Sequence, residues 1–550
     1  MKVPHLARSS LLMAVTAIVL GACAPAPEEL PAASSGQVKP VAAGKMSAYA
    51  AARAADQVSF GATPALVAEL QQIGLEAWID QQLALPPSII NNVPRYVVDY
   101  VRNVPEAESK ARRFAPDSFY TLAMVGPDQL RLRVNWAMQQ FVPVNSDAYP
   151  IVEYFNMFQR NALGNYGTFL RELSVDPAMG AFLGNNQNRP RSNQCPDCAP
   201  NENWARELMQ LFSIGVVQLN ADGTTKRDAK GKALETYTQK DVEELARAFT
   251  GWRFAQTNPP PPDTNGHNAP NPMEPDPWEF ARDSGAKIVM GTSFTAGQSA
   301  RQDLETAVSM LVAHPNIAPF VSLRLIQHLV ASNPSPQYLG RVAGVFRNNG
   351  QGVVGDMKAT VKAVLLDPEA RRGDVPGTDR AGFGKLREPV LFITAAMRGL
   401  GCRTALKWTD GGSFGVNGQS PLQPPSVFSF YLPTDRAPGS NLLAPEQKLA
   451  TTNELSARLR YLEWTLVDNN QNGGNPNSGS GCDVASLGRA FAHSPKALID
   501  LISARWFRGA MPPSLRSNLM ALAATQTVDI RGAVQLLEFA LTTPYFGVIK

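Results

Sequence analysis

The stretch Asn201–Val216, NENWARELMQLFSIGV, followed after a polar loop by Tyr237–Phe254, YTQKDVEELARAFTGWRF, carries the densest helix signals in the chain. Asn201 stands at an N-cap position after Pro200, and Trp204, Leu208, Leu211 and Phe212 recur on one helical face. Gly215 supplies a stop, because glycine takes positive φ without a Cβ clash. Thr238, with Asp241 three residues on, is a near relative of a capping box; Glu243 and Glu244 add negative charge near the positive end of the helix dipole. Val242, Leu245, Ala246 and Phe249 make the second apolar stripe, and Gly251 closes it. The expected product is a packed helix pair within a mainly α fold, a large multi-helix assembly with small β-hairpin insertions and long Pro/Gly-rich loops.

The polar side of the first helix is unusual. Glu202 and Arg206 are four residues apart, as are Asn203 and Glu207, so both pairs can meet on a helix surface. With Asn201 they form a polar cluster. Its plain reading is a solvated face with ordinary ion pairs; three sharper readings are a buried, hydrogen-bonded structural cluster that fixes how neighbouring helices dock, a ligand site, or a catalytic site. In the last, Glu202 and Glu207 are the candidate carboxylates and Arg206 their charge partner. Structural docking ranks first of the three.

Composition bounds the rest. At 550 residues the chain exceeds a typical single core, and 44% apolar content suffices for a large one. Charged residues are sparse at 18%, while 42 Gly and 44 Pro imply many irregular connections. The formal charge of +4 includes Lys2 and Arg8, both in a segment read as removed, so charge gives no reason to expect nucleic-acid binding.

Residues 1–23 read as a secretion signal: Lys2 and Arg8, then the short apolar run Leu11–Leu20, too short for the ~20 residues of a membrane span. It ends in Leu20-Gly21-Ala22-Cys23, similar to a bacterial lipobox, which makes Cys23 the expected lipidation site and a lipid anchor the expected membrane contact. Ala24 at the second mature position favours the outer membrane, by resemblance to bacterial sorting rules. Residues 24–45 are rich in Ala, Pro, Ser and Gly and read as a tether. An N-terminal helical lobe (46–257), a Pro-rich insertion (258–284) and a C-terminal helical lobe (285–550) complete the expected organisation.

Asp176-Pro177, His314-Pro315, Asp367-Pro368, Ser494-Pro495 and Thr543-Pro544 read as helix stops, because proline disfavours the helical conformation in the residue before it. Val216–Leu219 and Ala233–Tyr237 are expected to pair as a hairpin turning at Asn220–Gly223. Asn220, Asp222 and Asp228 lack the closing glutamate of a calcium loop, no His or Cys spacing favours zinc, and no cofactor or metal is expected. Gly350-x-Gly352-x-x-Gly355 follows a helix-like segment rather than a strand, and Gly411-x-Ser413-x-Gly415 lies in a Gly/Asn-rich loop; both read as flexible connections. His314 and His328 read as structural. With Cys23 acylated, four cysteines remain, which permit three pairings. Cys195–Cys198 with Cys402–Cys482 is the expected set, the first read as a clamp leading into the central helix.

The helix-pair stretch also resembles the signature of the bacterial family catalogued as domain of unknown function 1800. SFGAT (Ser59–Thr63), RNALGN (Arg160–Asn165), DPAMGAFL (Asp176–Leu183), HPNIAPF (His314–Phe320), ASNPSP (Ala331–Pro336), LLDPEAR (Leu365–Arg371), REPV (Arg387–Val390) and SVFSFYLP (Ser426–Pro433) extend the resemblance in order over nearly all of the mature chain. The resemblance implies a mostly helical exported protein, encoded in many genomes beside a phosphatase- or sulfatase-like exported family, with no agreed activity. Some members carry His-Thr where this chain has Phe212-Ser213, so no mechanism resting on that histidine transfers. Two functions follow as expectations. One is a binding or assembly protein of the envelope that works with such a partner. The other is an envelope hydrolase acting on a polysaccharide or related polymer through the Glu/Arg cluster.

Overall fold

A short oxygen-bearing side chain followed by proline starts helix after helix in this chain. The residue before proline is held extended, which is the backbone an N-cap needs, and proline at the first helical position gives up only an N–H with no intrahelical partner. Thr63, Asp176, Ser335, Asp367 and Ser494 all cap helices this way, each accepting a backbone N–H two or three residues on. Asp176, Asp367, Ser494 and Thr543, expected as stops, therefore also begin the next helix. His314 does end its helix, and its Nδ1 accepts from Asn316 N at 3.1 Å.

The computed structural model describes residues 46–94, 97, 105–145, 148–256, 271–378, 381–402, 418–468 and 481–550. The secretion signal, Cys23, the tether, most of the Pro-rich run, Gly411–Gly415 and residues 469–480 lie outside them. The described chain is mainly α-helical, with short strands in three two-stranded antiparallel sheets. Trp252–Arg253 pairs with Glu274–Pro275, Lys287–Val289 with Thr292–Phe294, and Lys385–Leu386 with Val548–Ile549. Among the described residues no single helix is long and apolar enough to cross a membrane.

One continuous apolar cluster runs from Ala51 to Ile549. It draws on residues from both sides of the segment 258–284. At its middle lies the helix Gln129–Gln139, QLRLRVNWAMQ, and all 11 of its residues are buried. A buried polar side chain must find hydrogen bonds or lose stability. Gln129 donates to the carbonyls that end the preceding helix, Arg131 to Gln159 O and Leu85 O, and Asn135 Nδ2 to Gln159 Oε1 at 2.8 Å. These side chains bind neighbouring segments together where apolar ones would only fill space.

Two disulfides form, Cys195–Cys198 and Cys402–Cys482. The Gly350–Gly355 loop differs from the flexible connection expected. Asn348 Oδ1 accepts from Gly350 N and Gly352 N, Asn349 Oδ1 from Gln351 N, and Gly355 O from Tyr166 N at 2.8 Å. Asparagine side chains bonding to the backbone just ahead hold such a turn in place.

Candidate functional site

The helix pair spans Glu202–Gln210 and Gln239–Ala248. Trp204 lies fully buried between them, edge-on to Phe249 with ring centroids 5.9 Å apart. Thr238 and Asp241 complete a full capping box, and Asp241 Oδ1 also accepts from Met290 N at 2.6 Å, anchoring the Lys287–Phe294 hairpin. Gly215 (φ +70°) is needed for space as well as for conformation, because a Cβ there would stand 2.8 Å from the Phe320 ring. The intervening loop pairs as expected, with Gln218 N donating to Leu234 O and a turn closed by Gly223 N to Asn220 O. It adds a second turn, Asp228–Gly231, that the sequence reading did not include.

The polar cluster divides. Arg206 Nη2 lies 2.6 Å from Glu202 Oε2, and Gln239 Nε2 reaches the same oxygen at 2.9 Å, so the contact bridges the two helix starts. Glu202 and Arg206 are about one-third exposed, at 35% and 36%, so the docking cluster is a half-solvated bridge and not a buried one. Asn203 is exposed and makes no side-chain contact with Glu207 among the described residues. Asn201 Oδ1 accepts from Asn203 N, while Asn201 N donates to Asn188 Oδ1 at 2.7 Å. Asn188 Nδ2 in turn donates to Ala246 O, so this buried asparagine, absent from the sequence reading, ties the first helix start to the second helix end. Glu207 Oε2 is buried with no hydrogen-bond partner among the described residues. Burial raises its carboxyl above the ordinary range, against the lowering effect of Arg206.

A second and more deeply buried centre gathers residues scattered through the sequence. Glu388 sits at the N-cap of the helix Pro389–Gly399 and is 1% exposed. Its Oε1 accepts from Trp136 Nε1 at 2.8 Å; its Oε2 accepts from the Tyr431 hydroxyl at 2.7 Å and Gln419 Nε2 at 2.9 Å. Lys385, brought alongside by the strand that pairs with Val548–Ile549, lies 3.1 Å from Glu446 Oε1 and donates to His328 O. Arg133 Nη2 donates to the same carbonyl at 2.6 Å. His328 is flanked by Phe141 and Tyr431, both near parallel to its ring.

The electrostatics follow from this packing. Burial pushes the Glu388 carboxyl up, but Lys385, the Tyr431 hydroxyl and Arg133 together outweigh it and hold the group at about 2. Glu446 goes the other way: burial and the charge of Glu388 raise it more than Lys385 lowers it. Burial, with Lys385 adding to it, keeps His328 well below its usual range and therefore neutral at pH 7. Burial brings Arg133 down to about 10, still charged. Two cations thus face one firmly ionised carboxylate and one that is easier to protonate, an arrangement that cements the core. The signal in the sequence was slight: Glu388 belongs to REPV and Tyr431 to SVFSFYLP, two of the matching stretches.

Fold and sites together define a mainly helical protein stapled by internal ion pairs. The family described as "Protein of unknown function (DUF1800)" matches residues 53–548, and the chain belongs to it. No curated protein and no solved structure matches the chain.

Proposed function

We propose that this is a helical lipoprotein anchored at the bacterial outer membrane through Cys23, working as a binding or assembly protein for an exported phosphatase- or sulfatase-like partner. One observation carries the reading. The carboxylate of Glu388 and the amine of Lys385 have their partners inside the fold, whereas Glu202, Arg206 and Gln239 turn a linked polar face to solvent across two helices. Such a face suits recognition by a complementary surface, where charges set specificity and encounter rate more than raw affinity. Affinity purification of the acylated chain from native membranes tests it. Co-purification of an exported hydrolase-like protein is expected, weakened at least tenfold by exchanging the charges in Glu202→Arg/Arg206→Glu. Recovery of the chain alone after gentle solubilisation sinks the proposal.

Glu207 favours a second reading, the hydrolase acting on a polysaccharide or related polymer. A half-buried carboxyl with a raised pKa and an unpartnered oxygen suits a general acid. Under this reading Glu207→Gln abolishes turnover and leaves the melting temperature within a degree or two of wild type. A clear loss of stability assigns Glu207 to the helix interface instead.

A further inference from the structure

The first described helix, Ala48–Val58, is buried along nearly its whole length, including Arg53, Asp56 and Gln57. Asp56 and Gln57 meet arginines from distant parts of the chain, and Arg53 meets a distant aspartate. Asp56 Oδ2 takes Arg387 Nη2 at 3.1 Å and Arg508 Nη2 at 3.2 Å. Arg53 Nη1 donates to Ala370 O at 2.8 Å and to Asp374 Oδ1 at 2.7 Å. Arg371 shares that Asp374 oxygen at 3.4 Å, and its Nη2 contacts Gln57 Oε1. Four guanidinium groups thus share two carboxylates and are only half neutralised. Nearby Glu369 is engaged by Ser335 N and Oγ. Arg508 also acts on Arg53, whose pKa is lowered first by burial and further by that neighbouring positive charge.

The hydrogen-bond inventory of this cluster is one-sided. Arg53 Nε, Arg53 Nη2, Gln57 Nε2 and Arg371 Nε are buried and have no partner among the described residues; every one is a donor. Arg53 and Gln57 are fully buried at 0% exposure, and one helical turn separates them. Nε and Nη2 together form one intact edge of the Arg53 guanidinium, the edge that binds two oxygens of a carboxylate, phosphate or sulfate side by side. Buried donors left unpaired are costly, and native proteins retain few of them. Gly373 packs on the same guanidinium so closely that a Cβ would stand 2.9 Å from Nε. Next to Asp374 in sequence, Arg372 and Val375–Thr378 are exposed.

We propose that Arg53, Gln57 and Arg371 bind a small oxyanion, with the Arg53 edge taking two of its oxygens and Gln57 and Arg371 the remaining contacts. The ligand is either inorganic phosphate or sulfate, or a carboxylate group carried by a larger molecule. Binding ties the first helix to the Pro368–Asp374 segment, and so couples the start of the folded chain to the presence of the anion.

The test is thermal unfolding of the purified full chain, titrated with sodium phosphate, sulfate or acetate against chloride at matched ionic strength. Phosphate and sulfate raise melting temperatures generically by exclusion from protein surfaces, so the decisive readout is the difference from a variant. Gln57→Glu supplies a built-in carboxylate. It is expected to raise the melting temperature in chloride and to move half-saturation at least tenfold higher. Arg53→Lys keeps the charge but lacks the two-donor edge, and is expected to lose the response without the gain. Saturation by phosphate or sulfate identifies an inorganic ligand; saturation by acetate alone identifies a carboxylate. Identical titrations in wild type and both variants, or no saturable response to any of the three anions, overturn the proposal.

Discussion

The helix pair at Asn201–Phe254 and the charge centre around Glu388 are both polar sites on helical scaffolds, yet they are built in opposite ways. The first is local: its caps, its stripes and its Glu202–Arg206 contact lie within a few residues of one another, and its charges are half in water. The second draws Arg133, His328, Lys385, Glu388, Tyr431 and Glu446 from across the chain into a site with almost no exposure. Charge near water is cheap to place and weak in effect. Charge in a core is expensive to place and severe to disturb, because removing one partner strands the other. The largest mutational effects should therefore lie at the centre least visible in the sequence.

Glu388→Ala is the strongest test of that contrast. It strands the Trp136 Nε1, Tyr431 hydroxyl and Gln419 donors and removes the charge opposing Lys385 and Arg133. A loss of about 3–5 kcal/mol is expected by denaturant unfolding. Because Glu388 is held at about 2, below its unfolded value, its stabilisation is full above the unfolded pKa and falls away as pH drops from about 4.5 towards 2. The variant should lose that acid dependence along with the stability. A loss below about 1 kcal/mol would place the centre's energetics with the exposed cluster.

The two disulfides sharpen the comparison with a difference of length. Cys402–Cys482 closes a separation of 80 residues and Cys195–Cys198 one of 3. Loop-closure entropy predicts about 4 kcal/mol for the first and about 2 for the second, with engineered cases running lower. Replacing each pair by alanine and comparing unfolding midpoints should preserve that order.

Asp176 gives a smaller effect with a definite sign. Its carboxyl caps the helix Pro177–Phe182 through Met179 N at 2.9 Å, yet burial lifts its pKa to about 7. The folded state therefore holds this proton more tightly than the unfolded one. Its contribution to stability is full below about pH 4 and is lost as pH rises to about 7, the reverse of Glu388. Asp176→Asn should flatten that slope and gain about 1–2 kcal/mol at pH 8, where the native carboxylate is buried and charged. A slope unchanged from wild type between pH 4 and 7 would show that Asp176 titrates normally.

Local chemistry explains what could be read in advance. The Thr238–Asp241 box, the Trp204 stripe and the proline-initiated helices depend on spacings of one to four residues, which the sequence displays directly. The family resemblance visible in the sequence draws on several of the same stretches. The charge centre was hidden because its members are single letters far apart, and because QLRLRVNWAMQ resembles a solvated helix until its neighbours enclose it. Thr63-Pro64 reads as a helix start, but Asp176-Pro177, Asp367-Pro368, Ser494-Pro495 and Thr543-Pro544 read as stops alone, because the clash that ends one helix is easier to see than the cap that begins another. Asn203 and Glu207 had the right spacing and still did not meet; spacing permits contact without compelling it.

The smallest effect belongs to the contact most visible in the sequence. Glu202–Arg206 is a well-formed ion pair at 2.6 Å, but at roughly one-third exposure each charge gives up little hydration and solvent screens what remains. A double-mutant cycle on Glu202→Ala and Arg206→Ala should return a coupling of about 0.3–0.5 kcal/mol at low salt, shrinking further at 0.5 M sodium chloride. Gln239 shares the Glu202 oxygen, so a third arm, Gln239→Ala, should weaken the coupling slightly if the bridge between helices matters to it. A coupling above about 2 kcal/mol, insensitive to salt, would mean that this face is dry in the working protein. It would then have to be covered by a partner, which returns the question to the purification proposed above.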